Sequence, residues 1–241
     1  MFLLVHDDSD REYLRGPGDE LQTDLGVLDV PADAEPGDTL TTHLGERFRV
    51  RPLRGPDLFE HFERTGAPMM PRDIGLVIGH TGPAAGDRAL DAGTGTGVLA
   101  AYLGRLGVDV TTYERDPDFA ETARENLRLA GVDDRVTVRT GDVRDDLDAL
   151  SGFDLVTLDT GDAPTIVERA PDLLRSGGFV AVYSPFVETT REVVEAARAA
   201  DLAAVESIET IGRRMEFDER GSRPSTAGVG HTGYLTVARR P

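Results

Sequence analysis

The sequence predicts an α/β fold: a doubly wound, mainly parallel seven-stranded sheet with a small, mostly β domain ahead of it. From Arg88 onward, β-prone runs alternate with runs of helical period, the pattern of a sheet covered by crossover helices. Before about residue 60 no long helical period occurs, and short β-prone runs are separated by Gly, Pro and Asp clusters such as GPGDE and PADAEPGD. The expected organisation is a barrel-like β domain over residues 1–60, a linker with a lead-in helix over residues 61–87, and the large domain over residues 88–241.

Taken in order, the small domain offers FLLV, EYLRG, GVLDV, TLTTHL and RFRVRPL as strands. The segment DLFEHFERTGAPMMPRDIGLVIGHTG bridges to the large domain. There, strand RALDAG leads to helix GVLAAYLGRLG, strand DVTTYE to helix PDFAETARENLRLAG, and strands RVTVRTGDV and FDLVTLDT to helix PTIVERAPDLLR. Strand GGFVAVYSP, helix ETTREVVEAARAADL and strands AVESIETI and HTGYLTVARR complete the set. The last two strands have no helix between them, so an antiparallel pair at one sheet edge is expected.

In RALDAGTGTGVLA, Arg88 to Ala100, a strand carries Asp91 and then reaches Gly93, Gly95 and Gly97. Without Cβ atoms at the turn from strand to helix, a ligand can approach the backbone around Thr94 closely. A nucleoside triphosphate is the weakest candidate, because a phosphate loop ends in Gly-Lys-Ser/Thr and this chain has no lysine. A dinucleotide loop spaces its glycines G-x-G-x-x-G rather than G-x-G-x-G, and Asp91 is a poor neighbour for a pyrophosphate. The same acid suits the amino group and sulfonium of S-adenosylmethionine (SAM).

Two more acids fall where such a cofactor needs them. Glu114, followed by Arg115, ends the second strand of the large domain, placed to accept from both ribose hydroxyls. Asp142, followed by Val143, comes after the third strand and can accept from the adenine amino group. The three acids in register with the glycine loop point to a SAM-methyltransferase (Rossmann-like) sheet, which seven strands in this order suit better than a dehydrogenase. The expected cofactor is SAM, held by Asp91, Gly93, Thr94, Gly95, Gly97, Glu114, Arg115, Asp142 and Val143.

There is no cysteine, which excludes disulfides, iron–sulfur clusters, thiolate zinc sites and a cysteine nucleophile. The 5-methylpyrimidine route, which needs a thiolate adduct, is excluded with them. Direct displacement remains, catalysed by positioning and electrostatics. The fourth strand should end beside the methyl group, and FDLVTLDT delivers Asp159 there as the candidate catalytic residue; a solvated loop carboxylate is the plain alternative. No metal is expected.

The formal net charge is −18, and all 26 basic residues are arginine. Such a chain repels itself, and high salt screens that repulsion, the Debye length falling to about 3 Å at 1 M. The bias resembles proteins of salt-accumulating halophiles. The opening MFLLV is too short for a signal peptide or a membrane span, so a cytoplasmic protein without a membrane partner is expected.

Several segments together resemble one family. APMMPRDIGLVIGHTG, LDAGTGTGVLA, YERDPDFAETARENL, FDLVTLDT, SGGFVAVYSP and above all GRRMEFDERGSRP followed by GHTGYLTVARR are similar to the tRNA adenine-N1 methyltransferases, from about Gly66 to Arg240. The resemblance implies methylation of adenosine 58 in the T-loop, in archaea also of position 57, by a homotetramer. It also implies that the fourth-strand aspartate, here Asp159, contacts the target adenine. The family usually has a proline four residues after that aspartate and then an aromatic, whereas here Asp159-Thr-Gly-Asp-Ala-Pro164 is one residue longer and lacks the aromatic. Arg72 stands where a lysine is usual.

A tRNA partner needs positive charge somewhere in an acidic chain. Arg47, Arg49, Arg51 and Arg54 cluster in the small domain, the alternating three sharing one face of a strand. Arg213, Arg214, Arg220 and Arg223 form a second cluster near the expected active end. Both are candidate RNA contacts, the alternative being surface ion pairs. His231 is open between RNA, the pocket and a subunit interface. Two other classes stay open: an isoaspartyl or small-molecule methyltransferase of the same fold, and a non-catalytic RNA-gripping subunit.

Overall fold

The computed structural model describes residues 1–227 and 230–241. Its first part is built from β1 (Phe2–His6), β2 (Glu12–Arg15), β3 (Glu20–Thr23), β4 (Gly26–Asp29), β5 (Thr39–Thr41) and β6 (Arg47–Pro52). Four of them form a sheet in the order β2-β1-β6-β5, and β3 and β4 pair as a separate hairpin. Leu4, Leu21, Leu28, Phe48 and Val50 fill a core of their own. Alternation along β1 sends Leu4 into that core and Leu3 into the next one.

Two helices follow, α1 (Gly55–His61) and α2 (Pro71–Thr81). Proline sits in the first turn of α2, where its missing N–H costs nothing, and Gly82 ends the helix at φ +60°. Ile74 and Val77 of α2 are buried in the same cluster as Leu3, Leu53, Leu58 and Ala89. Arg105 also donates to the Leu53 carbonyl at 2.8 Å. The β region, beyond its own core, thus meets the helices over residues 55–81 and one face of the large sheet in a shared apolar cluster.

The large sheet contains β7 (Arg88–Ala92), β8 (Asp109–Glu114), β9 (Val136–Thr140), β10 (Phe153–Leu158), β11 (Leu174–Ser184), β12 (Ala203–Glu209) and β15 (Tyr234–Arg239). Their order is β12-β15-β11-β10-β7-β8-β9. Strands β7 to β11 pair in parallel, while β15 pairs antiparallel with both β11 and β12, so the final pair occupies one edge as expected. Connecting them are α3 (Val98–Arg105), α4 (Pro117–Ala130), α5 (Val143–Asp146), α6 (Ala163–Glu168), α7 (Ala170–Leu173) and α8 (Val187–Ala199). Successive strand residues enter opposite layers: Ala89 and Leu155 pack with α2 and α3, Leu90 and Val156 with α6 and α8. The start of α4 is encoded locally, since Asp116 accepts from the N–H groups of Asp118 and Phe119 and Pro117 follows it.

Two features depart from the sequence expectation. The single helix expected over residues 164–175 breaks at Arg169 into α6 and α7, because Pro171 has no N–H to continue the ladder. An additional hairpin, β13 (Met215–Asp218) with β14 (Gly221–Pro224), projects from the segment before β15. Its strands bury no residue, so no hydrophobic alternation announced it.

Candidate active site

The chain runs from β7 outward to β8 and β9, then returns to β10 and β11 on the other side of β7. Such a reversal leaves a crevice beyond the strand ends. There Ala92 lies opposite Leu158, and the Asp159 N–H donates to the Ala92 carbonyl at 2.9 Å. The crevice holds a cavity of about 400 Å³ whose walls include Gly93, Gly95, Glu114, Arg115, Asp142 and Val143, with Phe119 and Ile166 as apolar faces. It continues into a narrower one of about 100 Å³ bounded by Asp91, Thr94, Gly97 and the segment Thr65–Met69. Every residue assigned to the cofactor from sequence lines one of these adjoining cavities, and Asp159 lines both.

The acids differ in surroundings. Asp91 is 4% exposed and accepts from Thr112 Oγ1 at 2.6 Å and Thr157 Oγ1 at 2.5 Å. Because Thr112 gives its only hydroxyl proton to Asp91, Thr94 must donate in the 2.5 Å contact between the two threonines. Burial raises the Asp91 carboxyl above its ordinary value, against the two threonine hydroxyls, which lower it. Asp159 is pushed up to about 7, first by burial and then by the charge of Asp91. The two acids make this end of the crevice negative.

Glu114 is held by two backbone N–H groups, Gly95 at 2.9 Å and Asp116 at 3.1 Å, which ties the end of β8 to the glycine loop. Asp142 is lowered to about 2, chiefly by hydrogen bonds from the Arg144 side chain. Arg144 and Arg115 both also reach Asp162, at 2.9 and 3.0 Å, so Asp162 closes one rim of the cavity. This arrangement fits SAM: the negative crevice suits a sulfonium, the apolar faces suit a planar ring, and the volume lies in the usual range for a small-molecule site, about 300–1,000 Å³.

The sequence reading missed the roof. Asn126, 3% exposed on α4, accepts from Glu63 N–H at 3.0 Å and donates to the carbonyls of Glu63 at 2.9 Å and Thr96 at 3.0 Å. These three bonds tie Glu63, just ahead of the segment Thr65–Met69, to Thr96 of the glycine loop. Its signal is an amide on the buried helix stripe of Ala120, Ala123 and Leu127. Tyr183 was missed as well. Its hydroxyl is raised mainly by burial, stands beside Thr232, and feels the charges of Asp73 and Asp159. A Cβ on Gly233 would come within 2.5 Å of the Tyr183 ring, so glycine is what lets the ring lie there.

The two arginine clusters come out differently. Arg47, Arg49 and Arg51 do share the exposed face of β6, opposite buried Phe48 and Val50, and Arg54 is exposed just beyond. Asp7 lies between Arg47 and Arg49, at 3.6 and 3.3 Å. In the second cluster, Arg220 pairs with Asp218 and Arg223 with Glu216, both at 2.9 Å, whereas Arg213 and Arg214 are exposed without an ion pair among the described residues. His231 faces two acceptors, Glu209 at 2.8 Å and the Pro185 carbonyl at 2.9 Å. Both ring nitrogens must then carry protons, consistent with a pKa raised first by the Pro185 carbonyl and then by Glu209. The ring therefore ties its own chain together.

Comparison with known proteins decides among enzymes of this fold. The model of the family described as tRNA methyltransferase complex GCD14 subunit matches residues 62–222. The chain belongs to the GCD14 family. Among relatives of this GCD14-family chain, the tRNA (adenine(57)-N(1)/adenine(58)-N(1))-methyltransferase TrmI of Methanocaldococcus jannaschii is 33% identical, over 99% of this chain and 94% of that protein. In structure, a SAM-dependent O-methyltransferase from Thermotoga maritima matches with TM-score 0.81 and 25% identity, over 99% of this chain and 92% of that one. The tRNA (m1A58) methyltransferase TrmI from Aquifex aeolicus shares the fold, with TM-score 0.76 and 23% identity over 100% and 97% of the two chains. The GCD14 match thus covers the helix leading into the large sheet and most of that sheet, and begins after the mostly β region.

Proposed function

We propose that this chain transfers a methyl group from SAM to N1 of adenosine 58 in the tRNA T-loop, and also to the neighbouring position 57 as named for the archaeal relative. One observation supports this reading above the others: Asp159, a half-buried acid, lines both cavities where they join, with its backbone against the glycine loop. When bound, SAM supplies an electrophilic methyl group on a sulfonium. Glu114 would hold the ribose hydroxyls and Asp142 the adenine amino group, and the segment Thr65–Met69 would keep water from the narrow end. Asp159 accepts from the N6 amino group of the target adenine, which turns N1 toward the methyl and offsets the positive charge that the ring acquires. N1 lies on the Watson–Crick edge, so the base must be flipped out at a cost of a few kcal/mol.

The exposed arginines 47, 49, 51 and 54 are the proposed grip on the tRNA body, through bidentate phosphate contacts. Arg213, Arg214 and Arg223 contact RNA nearer the site, and His231 shapes the neighbouring surface. A homotetramer is supported by large apolar side chains left exposed: Phe186 before α8 at 63%, Ile211 after β12 at 65% and Phe217 on the β13–β14 hairpin at 76%. Among the described residues no helix is long and apolar enough to cross a membrane, and no group of acids and histidines is arranged to hold a metal. A cytoplasmic location, where tRNA is available, completes the reading.

The test is to incubate the chain with labelled SAM and unmodified tRNA in molar potassium chloride and map the product. N1-methyladenosine in the T-loop is expected. Label on protein, on a small molecule or on another base overturns the assignment.

A further inference from the structure

The loop after β12 carries Gly212, Arg213 and Arg214, and α2 opens with Pro71 and Arg72. The fold brings them together around a cavity of about 340 Å³ whose walls include Met70, Arg72, Arg213, Arg214, Ser225 and Thr232. Arg72 is fixed from several sides. It donates to Thr232 Oγ1 at 2.6 Å and its Nε lies 3.6 Å from Asp73. A Cβ on Gly212 would come within 3.2 Å of its Nη1. Asp73 balances Arg72, but Arg213 and Arg214 have no ion-pair partner among the described residues. The hairpin arginines Arg220 and Arg223, by contrast, are matched by Asp218 and Glu216. An acidic chain therefore carries, at this point, a concave surface with surplus positive charge and planar donors suited to an oxyanion.

The cavity also adjoins the reaction centre. Thr232 accepts from Arg72, Gly233 next to it lies against the Tyr183 ring, and Tyr183 and Asp159 each follow one residue of the strand pair Val182–Leu158. We propose that the cavity binds the phosphodiester immediately flanking the nucleotide to be methylated, so that the strand is gripped next to the point where its base swings toward Asp159. This rests on the tRNA reading above. Gripping a neighbouring phosphate is what offsets the cost of unstacking, because contacts elsewhere hold flipped and stacked bases equally well. In a chain of net charge −18, general attraction to RNA cannot supply that grip, and a local site must.

The experiment uses the full chain and tRNA transcripts carrying one neutral methylphosphonate, placed 5′ of the target adenosine, 3′ of it, or far away. Wild type is compared with Arg213→Gln/Arg214→Gln, whose exposed side chains leave the core untouched. Expected is a rise of about tenfold or more in tRNA KM for one flanking substitution and none for the distant one, the scale of one lost charge-assisted contact. The double variant should show raised KM with natural tRNA, unchanged SAM affinity, and no further response to the flanking methylphosphonate. Wild type indifferent to both flanking substitutions, or a double variant that responds as fully as wild type, overturns the proposal alone. Natural tRNA left unmethylated by wild type overturns the tRNA reading, and this proposal with it.

Discussion

Gly93 and Asp159, on loops from different strands, meet backbone to backbone: a Cβ built on Gly93 would stand 2.1 Å from the Asp159 carbonyl oxygen. Gly93 also sits at φ +93°, where side chains are strained. The contact sets the main chain of the candidate catalytic residue directly on the glycine loop. Gly93→Ala must push the two loops apart, at a cost of about 2–4 kcal/mol by overpacking and backbone strain together. Gly95, at φ +50° with nothing nearer than 3.9 Å, is the control, and its alanine variant should cost about 1–2 kcal/mol. Denaturant titration of both variants checks this; equal losses would show that the loops are not in contact.

Replacement of Asp159 separates binding from chemistry. Asp159→Ala should lower SAM affinity by no more than about tenfold, since Glu114 and Asp142 remain, while turnover falls by ~100-fold or more. Asp159→Asn keeps an acceptor for the adenine amino group but not the charge, so it should stay impaired in single turnover at saturating tRNA. Near wild-type rates for Asp159→Asn would remove the electrostatic role. Asp162 is the other carboxylate on that loop, and Arg115 and Arg144 already engage it.

The Asp159 carboxyl, held at about 7 by burial and by Asp91, links cofactor binding to protons. Between the ordinary carboxylate range near ~4 and about 7, the folded chain keeps a proton that the unfolded chain has lost. This group's contribution to stability therefore declines as pH rises through that window. A sulfonium in the crevice favours the ionised form, so SAM binding at pH 7 should release up to about half a proton per site and tighten between about pH 6 and 8. Calorimetry in buffers of different ionisation enthalpy reads the release directly, and Asp159→Asn should abolish it. A heat independent of buffer in wild type would contradict the linkage.

Glu114→Ala should weaken SAM binding by about 1.5–3 kcal/mol, the scale for hydrogen bonds to a charged group. The same variant frees the Gly95 N–H, bonded to Glu114 at 2.9 Å, so slower hydrogen exchange at Gly95 in wild type than in the variant should accompany it. Unchanged SAM affinity by calorimetry would move the ribose contact elsewhere.

The sequence by itself determined what depends on short windows of chain. The β-prone runs DVTTYE and FDLVTLDT became strands over Asp109–Glu114 and Phe153–Leu158, and Asp116-Pro117 and Gly131 bound α4 close to where its apolar stripe starts and stops. In a doubly wound sheet, strand ends converge on one crevice, so the acids at 91, 114, 142 and 159 were legible as one site without coordinates. Only the tertiary structure decided how distant groups pair. Asn126 reaches Glu63, Arg72 reaches Thr232, and Gly93 accommodates Asp159, contacts that no local period encodes because they form when separate elements close on one another. The β13–β14 hairpin stayed hidden for the complementary reason: with neither strand buried, its sequence carries no apolar alternation to read. Folding also divided the arginines, setting Arg223 against Glu216 across the hairpin and Arg220 against Asp218 in its turn, and leaving Arg213 and Arg214 around a cavity. Charge pairing is set by distance in the folded chain, and distance is what a linear sequence leaves open.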